Sequence, residues 1–224
     1  MMKQIFIFLL CIIIFFTNIE SKHFVVISKP GSGKGTFSNY MAKKYNYVHI
    51  GLGDLTRSRK DNNQSTSLHI LNKILKTHIE KTIKKSKQFI LDNAITSKSN
   101  WHFWETFFHE KMLFDDIYFL VLDASDTTCI SRMKDRLICK NCFNVCKKTM
   151  GIPITQHICK DCGNKLTIRQ EDHDSKFLKQ RFEKYHQIIE PIIKKLEKSY
   201  KVIRISSEQP LQDLYTIYDK LHHL

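Results

Sequence analysis

The sequence HFVVISKPGSGKGT, residues 23–36, decides the fold class of this chain. Residues 23–28 form a short apolar run rich in β-branched side chains, which predicts a buried strand. A glycine-rich turn follows, and then a predicted helix that continues to about Tyr45. A strand, a glycine-rich loop and a helix in this order predict a cradle in which backbone N–H groups and the helix start bind phosphate. The residues expected at the phosphates are Gly31, Ser32, Gly33, Lys34, Gly35 and Thr36.

Lys34 and Thr36 carry the chemistry expected of this loop. The lysine would bind the β- and γ-phosphates of a nucleoside triphosphate, and the threonine would donate its hydroxyl. The general pattern G-x-x-x-x-G-K-[ST] has a glycine where this chain has Ser28, and a hydroxyl where it has Gly35. The form P-G-S-G-K-G-T, with the hydroxyl one residue later, resembles that of adenylate kinases. A glycine turn without a ligand is the alternative, and the strand–loop–helix order argues against it.

Strands and helices alternate along the rest of the chain. This alternation predicts an α/β fold in which a parallel sheet is wound with helices on both faces. The resemblance implies a P-loop fold of the adenylate kinase type, with an inserted lid and a shortened acceptor-binding subdomain. Predicted strands cover residues 88–92, 116–123 and 201–205, and predicted helices cover residues 100–112, 173–198 and 211–221.

Four of the seven cysteines form two C-x2-C pairs with 16 residues between them. Each pair makes a tight turn that points two thiolates at one metal ion, so the spacing predicts a structural zinc site. Two disulfides or free thiols are the alternative, which an oxidising compartment would favour. Cys146 is a spare thiol. The predicted ligands are Cys139, Cys142, Cys159 and Cys162.

The position of this cysteine ribbon extends the resemblance to adenylate kinases. The ribbon interrupts the chain between the helix after the third strand and the long penultimate helix, where that family carries its lid. Residues 131–139 (SRMKDRLIC) resemble the arginines that enter the lid, and residues 181–186 (RFEKYH) resemble the helix after it. A zinc ribbon that binds nucleic acid is the competing hypothesis, but residues 140–165 contain no aromatic residue beyond Phe143.

The resemblance implies roles for single residues. Arg132 would stack on the adenine of the donor, and Arg136 and Arg181 would hold the transferring phosphoryl group. Asp92, at the end of a strand, would orient water on Mg²⁺. Arginine suits this task because its planar fork neutralises charge that is spread over several oxygens. The implied cofactors are ATP, Mg²⁺ and a structural Zn²⁺.

The segment after the lid aligns less directly. The family has an arginine, one further residue and two aspartates there. Counting back from Arg181 places Gln170 at the arginine, and Asp172 and His173 at the aspartates, with Arg169 one place off. A shift of register by one residue would restore the arginine.

The acceptor half departs most from the family. Residues 49–57 (HIGLGDLTR) resemble its S-T-G-D-x-x-R segment, in which Arg57 would hold the acceptor phosphate. Leu52 replaces the threonine that lines the acceptor base. Asn100 replaces the glutamine that reads the adenine edge. We expect both residues to present a different surface to the base.

A second phosphate-clamping arginine is missing. Residues 92–97 (DNAITS) lie where the family has D-G-F-P-R-T, so Thr96 takes the place of that arginine. Only 34 residues separate Arg57 from Asp92, so the acceptor-binding insert, residues 51–91, is short. One lost arginine costs about 10- to 150-fold in binding. The cations that could substitute are Lys98, Arg59 and Lys60.

Composition and the N-terminus limit the remaining choices. With 42% hydrophobic and 26% charged residues the chain is globular, and its net charge of +14 fits either lysines spread over solvated faces or a polyanionic partner.

Residues 1–22 contain a 12-residue apolar run, short for a membrane span and typical of a secretory signal. The kinase domain is then residues 23–224, with residues 137–170 as its lid. We expect entry into the secretory pathway or an organelle reached through it, or membrane anchoring if the segment stays uncleaved.

The resemblance implies an adenylate kinase-like phosphotransferase that moves the γ-phosphoryl group of ATP to a nucleoside monophosphate, with AMP as the expected acceptor. A catalytically weak or inactive nucleotide-binding relative is the first alternative, because Thr96 replaces an arginine. A zinc-ribbon nucleic-acid-binding protein is the second. We expect a monomer that binds nucleotides and no nucleic acid.

Overall fold

The chain builds one parallel sheet and one small antiparallel sheet, which the computed structural model describes over residues 22–142, 144–148 and 154–224. The strands in chain order are β1 (His23–Val26), β2 (Val48–Gly51), β3 (Phe89–Asp92), β4 (Ile117–Asp123), β5 (Arg136–Cys139), β6 (Val145–Lys147), β7 (Leu166–Ile168) and β8 (Val202–Ser206). The parallel sheet has the order β2-β3-β1-β4-β8, and the antiparallel sheet has the order β6-β5-β7. The apolar run of the predicted signal lies outside the described residues.

Helices flank the parallel sheet. In chain order they are α1 (Lys34–Tyr45), α2 (Leu52–Asp61), α3 (Leu68–Ile83), α4 (Lys98–Glu110), α5 (Asp126–Lys134), α6 (Ser175–Lys184), α7 (Glu190–Ser199) and α8 (Leu211–His222). One π-helical turn, Tyr185–Ile189, joins α6 to α7. Sequence spacing explains these helices, as in α3, where Leu71, Leu75 and Ile79 recur every fourth residue and are all buried.

Side chains of the central strands pack alternately on the two faces of the sheet. In β1, Phe24 belongs to an apolar cluster with Phe37 of α1, whereas Val25 belongs to a second cluster with Trp104 of α4. Every residue of β1 is buried. A strand covered on both faces reads as an unbroken apolar run, which is why HFVV lacks polar alternation.

The antiparallel sheet and the cysteine pairs form the lid, which rests on α1. Asp161 lies between Cys159 and Cys162 in the sequence, and its carboxylate accepts hydrogen bonds from Lys43 of α1 at 2.9 and 3.0 Å. The side-chain amide of Asn144 in the lid donates to the same carboxylate at 2.8 Å. The Lys43 and Asp161 side chains are 65% and 38% exposed, so this ion pair contributes at most about 1 kcal/mol.

The predicted α/β fold with its parallel sheet is confirmed, and each predicted strand and helix has a counterpart. The 173–198 prediction corresponds to α6, the π-helical turn and α7 together. Sequence patterns do not mark β2, α2 and α3 individually, and the short acceptor insert consists largely of these two helices. Within the described part of the chain, no helix is long and apolar enough to cross a membrane.

Candidate active site

The glycine-rich loop between β1 and α1 requires glycine at two positions. Gly31 and Gly33 have φ angles of 81° and 103°, which residues with a side chain rarely adopt. A Cβ atom on Gly31 would also overlap the backbone carbonyl of Cys129 in α5. The loop is therefore packed tightly against α5, and it leads into the N-terminus of α1, where a phosphate would bind.

Ser28 has a structural use at the position where the general loop pattern has glycine. Its side-chain oxygen accepts a hydrogen bond of 2.7 Å from the backbone N–H of Leu122 in β4. The residue is buried, so this bond fixes the start of the loop to the neighbouring strand. The departure from glycine thus stabilises the loop.

Lys34 is held within the loop by backbone carbonyls. Its Nζ atom donates hydrogen bonds of 2.8 Å to the carbonyl oxygens of Ser28 and Lys29. Burial lowers the pKa of Lys34 to about 8, and Arg181 acts in the same direction, while the carboxylate of Asp92 opposes the change. A bound phosphate would favour the charged lysine, so this cation is suited to a phosphate ligand.

Asp172 joins the two arginines that the sequence predicts at the transferring phosphoryl group. Arg136 donates to both of its oxygens, at 2.8 Å from Nε and 2.6 Å from Nη2. Nη1 of Arg181 lies 4.0 Å from Oδ1 of the same carboxylate. Burial, followed by the charges of Arg169 and Arg136, lowers the pKa of Arg181 to about 10. Several positive charges are therefore concentrated around one fully buried carboxylate.

The surroundings of Asp172 bear on the register of the segment after the lid, which stays a prediction. Arg169 contributes to the charge around Arg136 and Arg181, and its side chain pairs with Glu171 at 2.8 and 3.0 Å. This position of Arg169 favours a register in which Arg169, rather than Gln170, takes the place of the family's arginine. A shift of one residue separates this register from the one counted back from Arg181.

Three buried polar atoms of the predicted site lack a hydrogen-bond partner among the described residues. They are the hydroxyl oxygen of Ser32, Oδ1 of Asp92 and Nη1 of Arg181. A buried polar atom without a partner costs free energy, so such atoms mark places where a ligand or water completes the structure. Their types match the predicted roles: a donor for phosphate, an acceptor for water on Mg²⁺, and a cation for the phosphoryl group.

Arg132 lies at the end of α5, beside the loop that follows β8. Its Nη2 atom donates a hydrogen bond of 2.7 Å to the carbonyl oxygen of Ser207. Ser207 is buried and is fixed by hydrogen bonds to the backbone of Asp123 at the end of β4. The guanidinium is thereby held at the carboxyl edge of the sheet, and stacking on a donor base remains a prediction.

The residues predicted on the acceptor side lie at the carboxyl ends of β2 and β3. Arg57 pairs with Asp54 one helical turn earlier. His49 of β2 lies 3.4 Å from the carboxylate of Asp92 in β3. Burial disfavours the charged imidazole, but Asp92 and Asp54 outweigh it and raise the pKa of His49. The imidazole of His49 is therefore a potential positive charge beside Asp92, the carboxylate predicted to orient water on Mg²⁺.

The two residues predicted at the acceptor base are both buried. Leu52 begins α2. The side chain of Asn100 in α4 accepts a 2.8 Å hydrogen bond from the backbone N–H of Thr96 and donates a 3.1 Å bond to Asn72 of α3. The Asn100 amide therefore holds the loop before α4 in place. Sequence analysis missed Asn72, a polar residue on the apolar face of α3.

The four cysteines predicted as metal ligands come together in the lid. Their sulfur atoms all lie within 4.8 Å of one another, and neighbouring sulfurs are separated by 3.4–3.5 Å. Zinc–sulfur bonds of about 2.3 Å in a tetrahedron place sulfurs about 3.8 Å apart, so the donor set fits one zinc ion. The described cysteines are all free thiols, and Cys146 lies outside the group of four.

Comparisons with known proteins agree with this geometry. A family profile described as an AAA domain matches residues 29–137, from the glycine-rich loop to the start of the lid. A protein of Malacoplasma penetrans named adenylate kinase is 32% identical, over 88% of this chain and 94% of its own length. Adenylate kinases of Rickettsia africae and Petrotoga mobilis are 29% and 27% identical, over 84% and 83% of this chain and 94% and 90% of their own lengths.

Proposed function

Because the chain belongs to the adenylate kinase family of nucleoside monophosphate kinases, we propose that AMP is its acceptor and that its site binds AMP weakly. Phosphoryl transfer is supported by the residues predicted to bind ATP. Near Lys34, the side chains of Ser32, Asp92 and Arg181 each have a buried polar atom without a hydrogen-bond partner among the described residues. The acceptor half supports weak binding, because Arg57 has no arginine at position 96 to assist it.

The chain's own residues supply positioning and charge. The transferring phosphoryl group carries negative charge on three equatorial oxygens, and Lys34, Arg136 and Arg181 would neutralise it. Asp92, whose buried Oδ1 has no hydrogen-bond partner among the described residues, would help to hold Mg²⁺ through a bound water, and the ion would supply positive charge at the phosphates of ATP. The loop backbone at Gly31 and Gly33 would bind the donor phosphates.

We expect Thr96→Arg to lower the apparent Michaelis constant for AMP and to raise turnover, by about 10- to 150-fold in kcat/KM. Residue 96 lies in the loop before α4, and a guanidinium there would add a charge-assisted clamp to the acceptor phosphate. A coupled assay of ATP consumption on residues 23–224, with AMP, GMP, CMP and UMP in turn, measures the effect and tests the proposed function.

Thr106→Arg provides the matched control, because Thr106 is exposed on α4 and far along the helix from the loop. It adds the same charge and should leave the AMP constant unchanged. Wild-type protein that already saturates at micromolar AMP with fast turnover would show that the site is not weakened. Transfer to none of the four monophosphates would contradict the proposed function itself.

We also propose that the lid holds a structural zinc ion. Four thiolates leave no open coordination position, so the metal would organise the lid without taking part in the chemistry. The four sulfurs lie around a common centre, and the hydrophobic cluster of Leu137 and Leu166 beside them is small. A lid with so few apolar contacts needs a further cross-link to keep its shape.

Cys142→Ser should lower the melting temperature more than it lowers ATP affinity measured at low temperature. The serine removes one thiolate of the four, and the remaining ligands bind the metal less tightly. Metal analysis of the wild type should give about one zinc per chain. Cys146→Ser is the control, because it removes a lid thiol outside the four and should change neither zinc content nor melting temperature. Equal melting temperatures with and without metal would refute a structural role.

A further inference from the structure

The side-chain amides of Asn100 and Asn93, both near the predicted acceptor site, are used differently. Asn100, the residue expected to read the base, is 2% exposed, and its amide is engaged with the Thr96 backbone and with Asn72. Asn93 follows Asp92 directly at the end of β3 and is partly exposed. Its side chain has no hydrogen-bond partner among the residues described.

The backbone of Asn93 is held in an unfavourable conformation. Its φ angle is 57°, in the left-handed region, and the family pattern has a glycine at this place. Its N–H donates a hydrogen bond of 3.2 Å to the carbonyl oxygen of Val26, and the next two residues, Ala94 and Ile95, are buried in the core. The position of Asn93 is therefore fixed from both sides.

Other asparagines in this conformation have evident structural reasons. Asn46 has a φ angle of 59° and ends α1, and Asn63 has a φ angle of 54° and lies in the turn after α2. Asn93 ends no helix. It lies where a parallel sheet binds ligands, at the carboxyl ends of its strands, with Gly51 of β2 paired to its neighbour Asp92. A glycine would form the same turn without strain, so the asparagine adds an amide at a conformational cost.

We propose that Asn93 is the residue that reads the acceptor base, in the place of the engaged Asn100, and that it recognises adenine. This inference rests on the proposed function. An asparagine amide offers one acceptor and a donor side by side, and adenine presents a matching donor and acceptor in its amino group and adjacent ring nitrogen. A site that hydrogen-bonds a base selects against bases that leave its amide unpaired.

Asn93→Gly tests the assignment without disturbing the turn, because glycine adopts a φ angle of 57° freely. We expect kcat/KM for AMP to fall by about 10- to 100-fold, the ratio of AMP to other monophosphates to fall with it, and the Michaelis constant for ATP to stay constant. Asn93→Asp keeps the shape but can only accept hydrogen bonds. It should shift the ratio towards GMP, whose base edge offers two adjacent donors.

Asn46→Gly and Asn63→Gly are the matched controls, since each replaces a left-handed asparagine away from the site. They should leave the ratios among AMP, GMP, CMP and UMP unchanged. The inference is overturned if Asn93→Gly behaves like these controls, if it lowers all four acceptors equally, or if the wild type prefers another base. In each of those results the wild type still transfers phosphate, so the proposed function stands. A wild type that uses none of the four acceptors would overturn the function instead.

Discussion

Lys34→Ala is expected to lower the turnover of phosphoryl transfer by about 100- to 1,000-fold while the chain keeps its fold. The loss of one preorganised donor from a transition-state site has an effect of about this size. Among the described residues, Nζ of Lys34 donates its hydrogen bonds to backbone carbonyls of its own loop, so its removal leaves no hydrogen-bonded side chain without a partner. Turnover at saturating ATP and AMP measures the loss, and circular dichroism and the melting temperature report on the fold.

Two further variants separate charge from packing. Lys34→Met keeps most of the side-chain volume and should be as impaired as the alanine variant. Lys44→Ala removes a lysine from the same helix, where it pairs with Asp219 on the surface, and should keep wild-type turnover. Unchanged turnover in Lys34→Ala would remove the glycine-rich loop from the mechanism.

Asp172→Asn should lower both stability and turnover. Asp172 is fully buried and accepts two hydrogen bonds from Arg136, so its neutral isostere leaves a largely buried guanidinium without its counter-charge. Breaking a buried ion pair in this way costs about 3–5 kcal/mol. Arg136 and Arg181 would then separate, and a displacement of about 1 Å at a reacting phosphoryl group costs about 100-fold in rate. Chemical denaturation and turnover measure the two effects.

Glu171→Gln is the matched control for this change. Glu171 is adjacent in sequence, but its side chain is 40% exposed, and its ion pair within the described part of the chain is with Arg169. A surface pair of this kind contributes about 1 kcal/mol or less, so we expect a small loss of stability. Equal effects of Asp172→Asn and Glu171→Gln would show that Asp172 does not position the two arginines.

The sequence alone indicates where the residues predicted to bind ATP lie, because they belong to short segments that directly follow strands. The loop that contains Gly31, Gly33 and Lys34 follows an apolar strand directly, and Asp92 ends another such strand. The carboxyl ends of parallel strands lie at one edge, so the sheet alone brings these residues together. The cysteine pairs are predictable for the same reason, since two short turns fix four thiols around one point.

The predicted acceptor site and the segment after the lid depend on contacts between parts of the chain that are distant in sequence. The position of Asp172 between Arg136 and Arg181 is formed by three distant segments, so spacing along the chain does not reveal it. The hydrogen bond from Asn100 to Asn72 joins α4 to α3, and no spacing pattern along the chain predicts it. A hint was present in α3, where Asn72 interrupts an apolar face, because a buried amide needs a partner.

The ion pair between Lys43 and Asp161 ties the lid to the phosphate-binding helix. We therefore expect this contact to slow the release of a nucleotide bound beneath the lid. The pair is largely exposed, and at an ionic strength of 1 M the screening length falls to about 3 Å. The residence time of products should therefore shorten as salt rises. Asp161 also lies between two of the proposed metal ligands, Cys159 and Cys162, in the sequence. We therefore expect removal of the metal to shorten the residence time of products as well.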